Sequence, residues 1–402
     1  MIPSYDMEQK GISVLIPCYN EALILRYTIK GLLNLNYNNL EVIFINDGSV
    51  DSTFDVLYEL LELKKVNRKN GNKKLKKIKG IYVSQKYPYM YVIDKYNDGK
   101  GNSLRVATYY AKQELIVTMD GDCILEKNAL ININSSFVDE DVIASGGVVH
   151  IMQMFKLESG QRRIILMQSL DYLKGFYIYK TSLAYNNALS IISGAFGVFN
   201  KEILIKVGGF RTGLGEDIDV TLRFQEYAKK NNKKVVFNRD AICYTECPEN
   251  IRELARQRIR WQKGFIDAIL SNSSFLISNL FKSSVSFFII IDALLSNTFG
   301  TIVFITNLIL LALKVIYSYP IETIIYFITT ILFNIISSMI AINQAKKTVP
   351  HLKTKLLYKT IIYDILIFQF LRIYFFIEGT VTYFIDDKRW NKVNRTNNTY
   401  NL

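Results

Sequence analysis

From Gly11 to Asp122 the apolar positions alternate between two periods. Residues 12–17 (ISVLIP) form a short, partly β-branched run that ends in proline, as a buried strand does. Residues 21–35 then place Leu25, Ile29, Leu32 and Leu33 on one side of a helix. Residues 41–47 (EVIFIND) read as a second strand, and 51–63 as a second helix opened by Asp-Ser-Thr, which is good N-capping chemistry. Residues 103–113 have helical spacing, and 115–122 (LIVTMDGD) form another strand. Strands alternating with helices predict an α/β fold with a parallel sheet and right-handed crossovers. Ligands of such sheets bind beyond the carboxyl ends of the strands. Asn46-Asp47 and the Asp120, Asp122 pair fall at such ends and are expected to face one site.

The pattern changes towards the C-terminus. Residues 287–317, 321–342 and 361–385 are each apolar over a length that spans a bilayer, about 20 residues. Asp292 and Asn297 lie early in the first run, so it is read as an interfacial helix that spans from about residue 295 onward. The third run contains Asp364, Arg372 and Glu378. Charges at that depth are expensive and face a protein interior or a wet cavity, unless the segment is re-entrant or interfacial. The lysine-rich loop 344–359 suits the side that holds the first domain. A third full crossing would then put the basic tail 386–402 on the opposite side, a conflict that the sequence leaves open.

Composition sharpens this division. Of 402 residues, 50% are hydrophobic, and most of the surplus falls after residue 284. The net charge of +13 would suit nucleic acid, but long apolar segments in the same chain favour an anionic membrane surface. Residues 64–80 carry nine Lys or Arg and no acid, read as a solvated loop or as a patch touching anionic lipid. Cys18, Cys123, Cys243 and Cys247 are read as reduced and structural, because only two histidines exist and both lie far from them. The first residues have no apolar signal-like region, so the first domain is expected in the cytoplasm.

Asp120 and Asp122 repel each other unless a positive group lies between them. A surface turn would account for the Asp-Gly pair. Two hard oxygen ligands for a divalent metal account for it as well. Gln257, Arg260 and Trp261 share one face if residues 251–264 are helical; a membrane-surface helix would use Arg and Trp in the same way. Glu216 and Asp217 fit a base site or ordinary helix N-terminal chemistry. No GxGxxG follows the first strand, which argues against a nicotinamide dinucleotide fold.

Taken in order, LIPCYNEA (15–22), INDGSVDST (45–53), DGKGNSL (98–104), MDGD (119–122), SGAFGVF (193–199), GEDIDVTLR (215–223) and QRIRW (257–261) resemble the membrane-embedded, processive family-2 glycosyltransferases. These include synthases of poly-N-acetylglucosamine, chitin, hyaluronan and cellulose. The resemblance implies a GT-A-type nucleotide-sugar-binding domain over 1–250, an interfacial QxxRW region over 251–283, and about three transmembrane helices over 284–385. It implies a UDP-sugar donor, Mg²⁺ or Mn²⁺ on Asp120 and Asp122, and a polysaccharide acceptor at the cell membrane. Pro17, Tyr19, Glu21, Asp47, Lys100 and Asp120 would hold the donor. Asp217 would be the base, with Glu216 supporting it, and Gln257, Arg260 and Trp261 would close the site. The implied reaction is inverting, processive hexosyl transfer, with N-acetylglucosamine as the expected sugar. A lipid-glycosylating transferase and a nucleotide-sugar-sensing transporter or receptor are the alternatives. The family carries spans before the catalytic domain and this sequence shows none; a misplaced start, a small membrane partner subunit, or a chain that works without them would each account for it.

Overall fold

A computed structural model of the chain describes residues 8–67, 77–155, 162–312 and 321–385. Ten strands among them form one mixed sheet: β1 (Ile12–Cys18), β2 (Leu40–Asp47), β3 (Leu63–Lys65), β4 (Ile78–Ser84), β5 (Met90–Lys95), β6 (Leu115–Thr118), β7 (Ile124–Leu125), β8 (Val142–Ile151), β9 (Gly197–Asn200) and β10 (Lys234–Thr245). Their order across the sheet is β3-β4-β5-β2-β1-β6-β9-β8-β10-β7. Residues along β1 and β2 are buried on both faces, as parallel strands covered by helices must be. Val14, Ile16, Val42 and Phe44 enter one core, while Leu15, Ile43 and Ile45 enter the other. That alternation is the period-2 pleat of each strand.

The parallel arrangement expected from the sequence holds for β5-β2-β1-β6 and recurs only between β8 and β10. β9 runs antiparallel between β6 and β8. An antiparallel strand needs no helical crossover, and the run 193–199, read as a motif, hides a short strand. The stretch 64–80 is not loop throughout, since Leu63–Lys65 and Ile78–Ser84 pair antiparallel; Leu63 and Ile81 are buried and anchor that edge. Its central residues 68–76 and the basic tail 386–402 lie outside the described residues. The first helix starts at Leu25 rather than at residue 21. Backbone amides of Asn20, Glu21 and Ala22 instead bond Ser49, Thr53 and Asp51, tying the turn after β1 to the turn after β2.

Among the described residues, three helices are long and apolar enough to cross a membrane: Ser284–Leu310, Ile321–Thr348 and Thr354–Ile385. Their ends are not separate from the first domain. Ala341, Ile342, Ala345 and Leu357 belong to the same buried core as β1 and β2. The Tyr177 hydroxyl bonds Thr348 Oγ1 at 2.6 Å, and Asp292, near the start of the first apolar helix, accepts from the Tyr179 hydroxyl at 3.1 Å.

Candidate active site

Register sets the site. Leu15 pairs with Thr118, and Asp47 with Lys95, so the carboxyl ends of β1, β2 and β6 reach one edge. They open on a cleft of about 1270 Å³. Pro17, Tyr19, Glu21, Asp47, Lys100, Asp120, Asp122, Glu216, Asp217, Gln257, Arg260 and Trp261 all line it. The residues named for the donor, the metal, the base and the closing helix are therefore brought to one cavity, while Asn46, expected beside Asp47, does not line it and donates instead to Asp94 at 2.7 Å.

The strand side is tightly tied. Asn20 has a positive φ of 56°, and its side chain accepts from Val50 N at 2.9 Å. The Asp47 carboxylate accepts from Asp98 N at 3.0 Å, from Gly99 N at 2.9 Å and from the buried Lys95 ammonium. Three donors already occupy it, so its first effect is to shape the turn that presents Lys100. The Lys100 ammonium bridges Asp120 at 2.8 Å and Glu216 at 2.9 Å. Burial by itself would lower the Lys100 pKa, but Asp120, Glu216 and Asp217 hold it well above the ordinary lysine value.

Asp120, Asp122 and Cys123 offer ligand atoms within 4.8 Å of one another. The Cys123 thiol is pushed well up by its bond to Cys243 and by burial, which makes it the weakest donor of the three. The usable donors are carboxylate oxygens, which suits a hard divalent cation such as Mg²⁺ or Mn²⁺ better than a thiophilic one. All four cysteines are buried, and none is in a disulfide.

Glu216 begins the helix Glu216–Asn231, so Asp217 stands in its first turn. Asp217 Oδ2 accepts from Gly194 N at 3.2 Å, the glycine of the SGAFG run. Burial and the neighbouring Glu216 raise its pKa above the ordinary aspartate value, against the pull of Lys100, the Gly194 amide and Lys180. A carboxylate of raised proton affinity is what general-base work near neutral pH needs. Asp219, the second aspartate of the run, acts structurally. It binds Arg223 at 2.6 Å and accepts from Asn272 Nδ2 at 3.0 Å. It fixes this helix to the segment after the next one.

That next helix is Ile251–Ser271, so residues 251–264 are helical and Gln257, Arg260 and Trp261 share a face. Asn250 caps it by accepting from Glu253 N at 2.9 Å. It meets the turn before Glu216 backbone to backbone. A Cβ on Gly264 would lie 2.6 Å from the Leu214 carbonyl oxygen, and one on Gly215 would lie 2.2 Å from that of Gly264. Only glycine permits this approach, and through it the QxxRW helix is set against the turn that carries Asp217.

Several lining residues have no local sequence signature. Asp171, Tyr172 and Lys180 come from the segment 162–185 and reach the cleft. Arg258, the neighbour of Gln257, also lines it. Its guanidinium bonds Asp171 at 2.9 Å and stacks 4.5 Å from the Trp261 ring. An aspartate some ninety residues earlier draws it inward, and no helical-face argument reveals that partner. Burial would raise the Asp171 pKa, but Arg258, Arg372 and Lys174 bring it below the ordinary value. Lys180 ends a π-helical turn, Gly175–Lys180, with its ammonium 4.3 Å from the Phe176 ring. Burial lowers its pKa to about 8, although Asp217 opposes the shift.

Residues 13–208 match Glycosyl transferase family 2, and residues 115–342 match Glycosyl transferase family group 2. The poly-beta-1,6-N-acetyl-D-glucosamine synthase of Staphylococcus epidermidis is 26% identical over 271 residues, which cover 67% of this chain and 58% of the relative. The synthase of the same name from Staphylococcus aureus (strain COL) is 26% identical over 264 residues, 65% of this chain and 56% of the relative. The chain thus spans under two thirds of the length of these relatives. Among solved structures, the mannosyltransferase PcManGT of Pyrobaculum calidifontis, in complex with GDP-Man and Mn²⁺, aligns with a TM-score of 0.56 at 16% identity. That alignment covers 94% of this chain and 88% of the other, and it is a likeness of fold.

Proposed function

The chain belongs to glycosyltransferase family 2, and we propose that it transfers N-acetylglucosamine from a UDP-sugar to a growing polysaccharide at the membrane. The observation that carries this reading is the single cleft that joins Asp120, Asp122, Lys100, Asp217 and the face of Gln257, Arg260 and Trp261. The choice of sugar rests on the synthases of Staphylococcus, whose names give poly-beta-1,6-N-acetyl-D-glucosamine as product. The apolar helices after residue 284 anchor the chain in the cell membrane, with the catalytic domain on the cytoplasmic side where nucleotide sugars are made.

The chemistry follows from the residues. An acceptor hydroxyl is a weak nucleophile and needs a base as it attacks the anomeric carbon. Asp217 takes the hydroxyl proton while the new carbon–oxygen bond forms. The bond from that carbon to the β-phosphate oxygen breaks on the opposite face, so the configuration inverts and UDP leaves with the electron pair. Asp120 and Asp122 would hold a divalent cation, which when bound would supply positive charge to the diphosphate. Lys100 and Arg260 add positive charge to the same group, Lys100 as a point charge and Arg260 as a planar fork. Trp261 offers a ring face on which an acceptor sugar stacks. Repeated transfer to one acceptor makes the enzyme processive.

The test is purified protein in detergent or nanodiscs with radiolabelled UDP-N-acetylglucosamine, UDP-glucose or GDP-mannose, followed by sizing of the product. Long products from UDP-N-acetylglucosamine alone, lost with EDTA, are expected. Single-sugar lipid products, or turnover of another donor only, would overturn the reading.

A further inference from the structure

The third apolar helix, Thr354–Ile385, keeps to the catalytic domain along its length. Leu357 and Ile361 enter the buried core shared with β1 and β2. Phe368 and Phe375 pack with Met167 and Leu254. A Cβ on Gly379 would lie 2.6 Å from Gln262 Cβ, so the helix closes on Ile251–Ser271 at van der Waals contact. Tyr383 donates to Asp267 at 3.2 Å, and Asp267 lines the cleft. From Leu357 to Tyr383 a helix rises about 39 Å. A crossing of a hydrocarbon core of about 30 Å would carry one end away from the catalytic domain, yet both ends touch it. On the other face Ile362, Leu366, Phe370, Tyr374, Ile377 and Val381 are exposed at three- and four-residue spacing. The helix has a protein face and an apolar outer face, as a strut in the membrane surface has.

Its charges lie on the protein face. Arg372 binds Asp171 at 3.1 Å and Asp364 at 3.3 Å, and it donates to the Gln369 amide oxygen at 2.8 Å. Fully buried Asp364 also binds Lys174 at 2.5 Å. The other oxygen of Asp171 binds Arg258 at 2.9 Å. One carboxylate is thus gripped from two sides, by an arginine of the third apolar helix and by one from the cleft. Arg258 in turn stacks 4.5 Å from the Trp261 ring. Tyr172, next to Asp171, has its ring 6.3 Å from that of Trp261.

We propose that Arg372 is a positioning residue for the transfer reaction: by fixing Asp171 it sets Arg258, Tyr172 and Trp261 as the sugar-binding wall of the cleft. Without Arg372, Asp171 loses one of its two arginines and the Arg258–Trp261 stack loses its fixed support. The inference rests on the glycosyltransferase reading for its kinetics but not for its geometry. Removing such a link changes a coupled site by about tenfold in rate.

Arg372→Gln, Arg372→Lys, Asp171→Asn and the Arg372→Gln/Asp171→Asn double variant test it. Each is made in a Trp390→Phe background, so that Trp261 is the sole tryptophan. The expected result for Arg372→Gln is a kcat about tenfold lower, a raised KM for N-acetylglucosamine oligosaccharides and an unchanged KM for UDP-N-acetylglucosamine. Trp261 emission should shift, Arg372→Lys should recover part of both losses, and the double variant should be no worse than the poorer single one. Unchanged acceptor kinetics with unchanged Trp261 emission would overturn the proposal. So would losses that multiply in the double variant, or equal changes in donor and acceptor KM. If the wild-type protein turns over none of these substrates, the functional reading has failed. The emission comparison needs no substrate and still decides the positioning role.

Discussion

The two walls of the cleft are built on different principles. The strand wall consists of the ends of β1, β2 and β6 with the turn before Lys100, and its polar groups bond one another. Asn46 donates to Asp94 at 2.7 Å, and Asp47 collects Lys95 and two amides. On the helical wall, the helix Ile251–Ser271 has buried polar atoms without a partner among the described residues: Gln257 Oε1, Arg258 Nε and Nη2, and Arg260 Nε. A buried unsatisfied polar group costs about 1–3 kcal/mol, so a fold retains several on one face only for a compensating use. On the proposed reading, the strand wall is preorganised for a ligand of fixed shape, the nucleotide. The helical wall keeps hydrogen-bonding capacity for groups that change as the reaction proceeds. Both walls carry candidate chemistry, but the strand wall satisfies its polar groups internally and the helical wall leaves some of them open.

The strongest way to break this comparison is at the carboxylate between the walls. Asp217→Asn should keep UDP binding, because the strand wall is untouched, and lose about 10²–10⁴-fold in kcat. Calorimetry of UDP binding alongside single-turnover rates would check both halves. If UDP binding is lost while the protein stays folded, Asp217 belongs to the donor wall and the division is wrong.

Next comes Arg260. It lines the cleft, and its Nε has no partner among the described residues. Arg260→Ala should raise donor KM and lower kcat, together about 10²–10³-fold in kcat/KM, because a charge-assisted contact strengthens as the leaving phosphate gains charge. Arg260→Lys should recover little, since a point charge does not replace a planar fork. Wild-type kinetics for Arg260→Ala in detergent would leave the helix with a membrane-surface role alone.

The same contrast explains what can be read from the sequence. The strand wall is legible because each candidate carboxylate stands at the end of an apolar run. The run at 41–47 ends in Asp47 and the run at 115–118 leads to Asp120 and Asp122, so counting along a strand places them. Gln257, Arg260 and Trp261 are legible from spacing on one helix. Asp171, Tyr172 and Lys180 are not: Leu166, Leu170, Leu173 and Tyr177 recur at helical spacing, but nothing in 162–185 singles out its polar positions. Its role arises from where three helices meet. Arg372 and Asp364 stand out as costly charges, but their partners Asp171 and Lys174 lie about two hundred residues away. Antiparallel β9 escapes for a similar reason, since four residues after a glycine-rich turn give too short a period to detect.

A smaller effect is expected where the walls touch. Gly264→Ala would put a methyl 2.6 Å from the Leu214 carbonyl oxygen, a backbone atom that cannot yield without moving the turn to Asp217. The cost should be about 1–3 kcal/mol of overpacking. A lowered thermal midpoint with reduced kcat and unchanged UDP affinity is the expected pattern. Unchanged stability would mean that the helix and the turn do not meet this closely in solution.

The smallest effect sharpens the comparison through pH. Four groups act on the Asp217 carboxylate: Glu216 raises its pKa, while Lys100, the Gly194 amide and Lys180 lower it, and burial outweighs them to leave it raised. Lys180→Met removes one of the lowering charges, so Asp217 should hold its proton to higher pH. A base works only when deprotonated, and the acidic limb of the kcat profile should therefore move upward. The loss should be a few-fold near neutral pH and should fade as pH rises. Lys180 itself, with a pKa of about 8, sheds its charge over the alkaline range. The wild-type profile should thus approach that of Lys180→Met at high pH. Because Lys180 belongs to the segment 162–185 and not to a strand end, UDP affinity should stay constant throughout. An acidic limb that moves downward, or parallel profiles separated by a constant factor at every pH, would show that Lys180 acts on something other than the base.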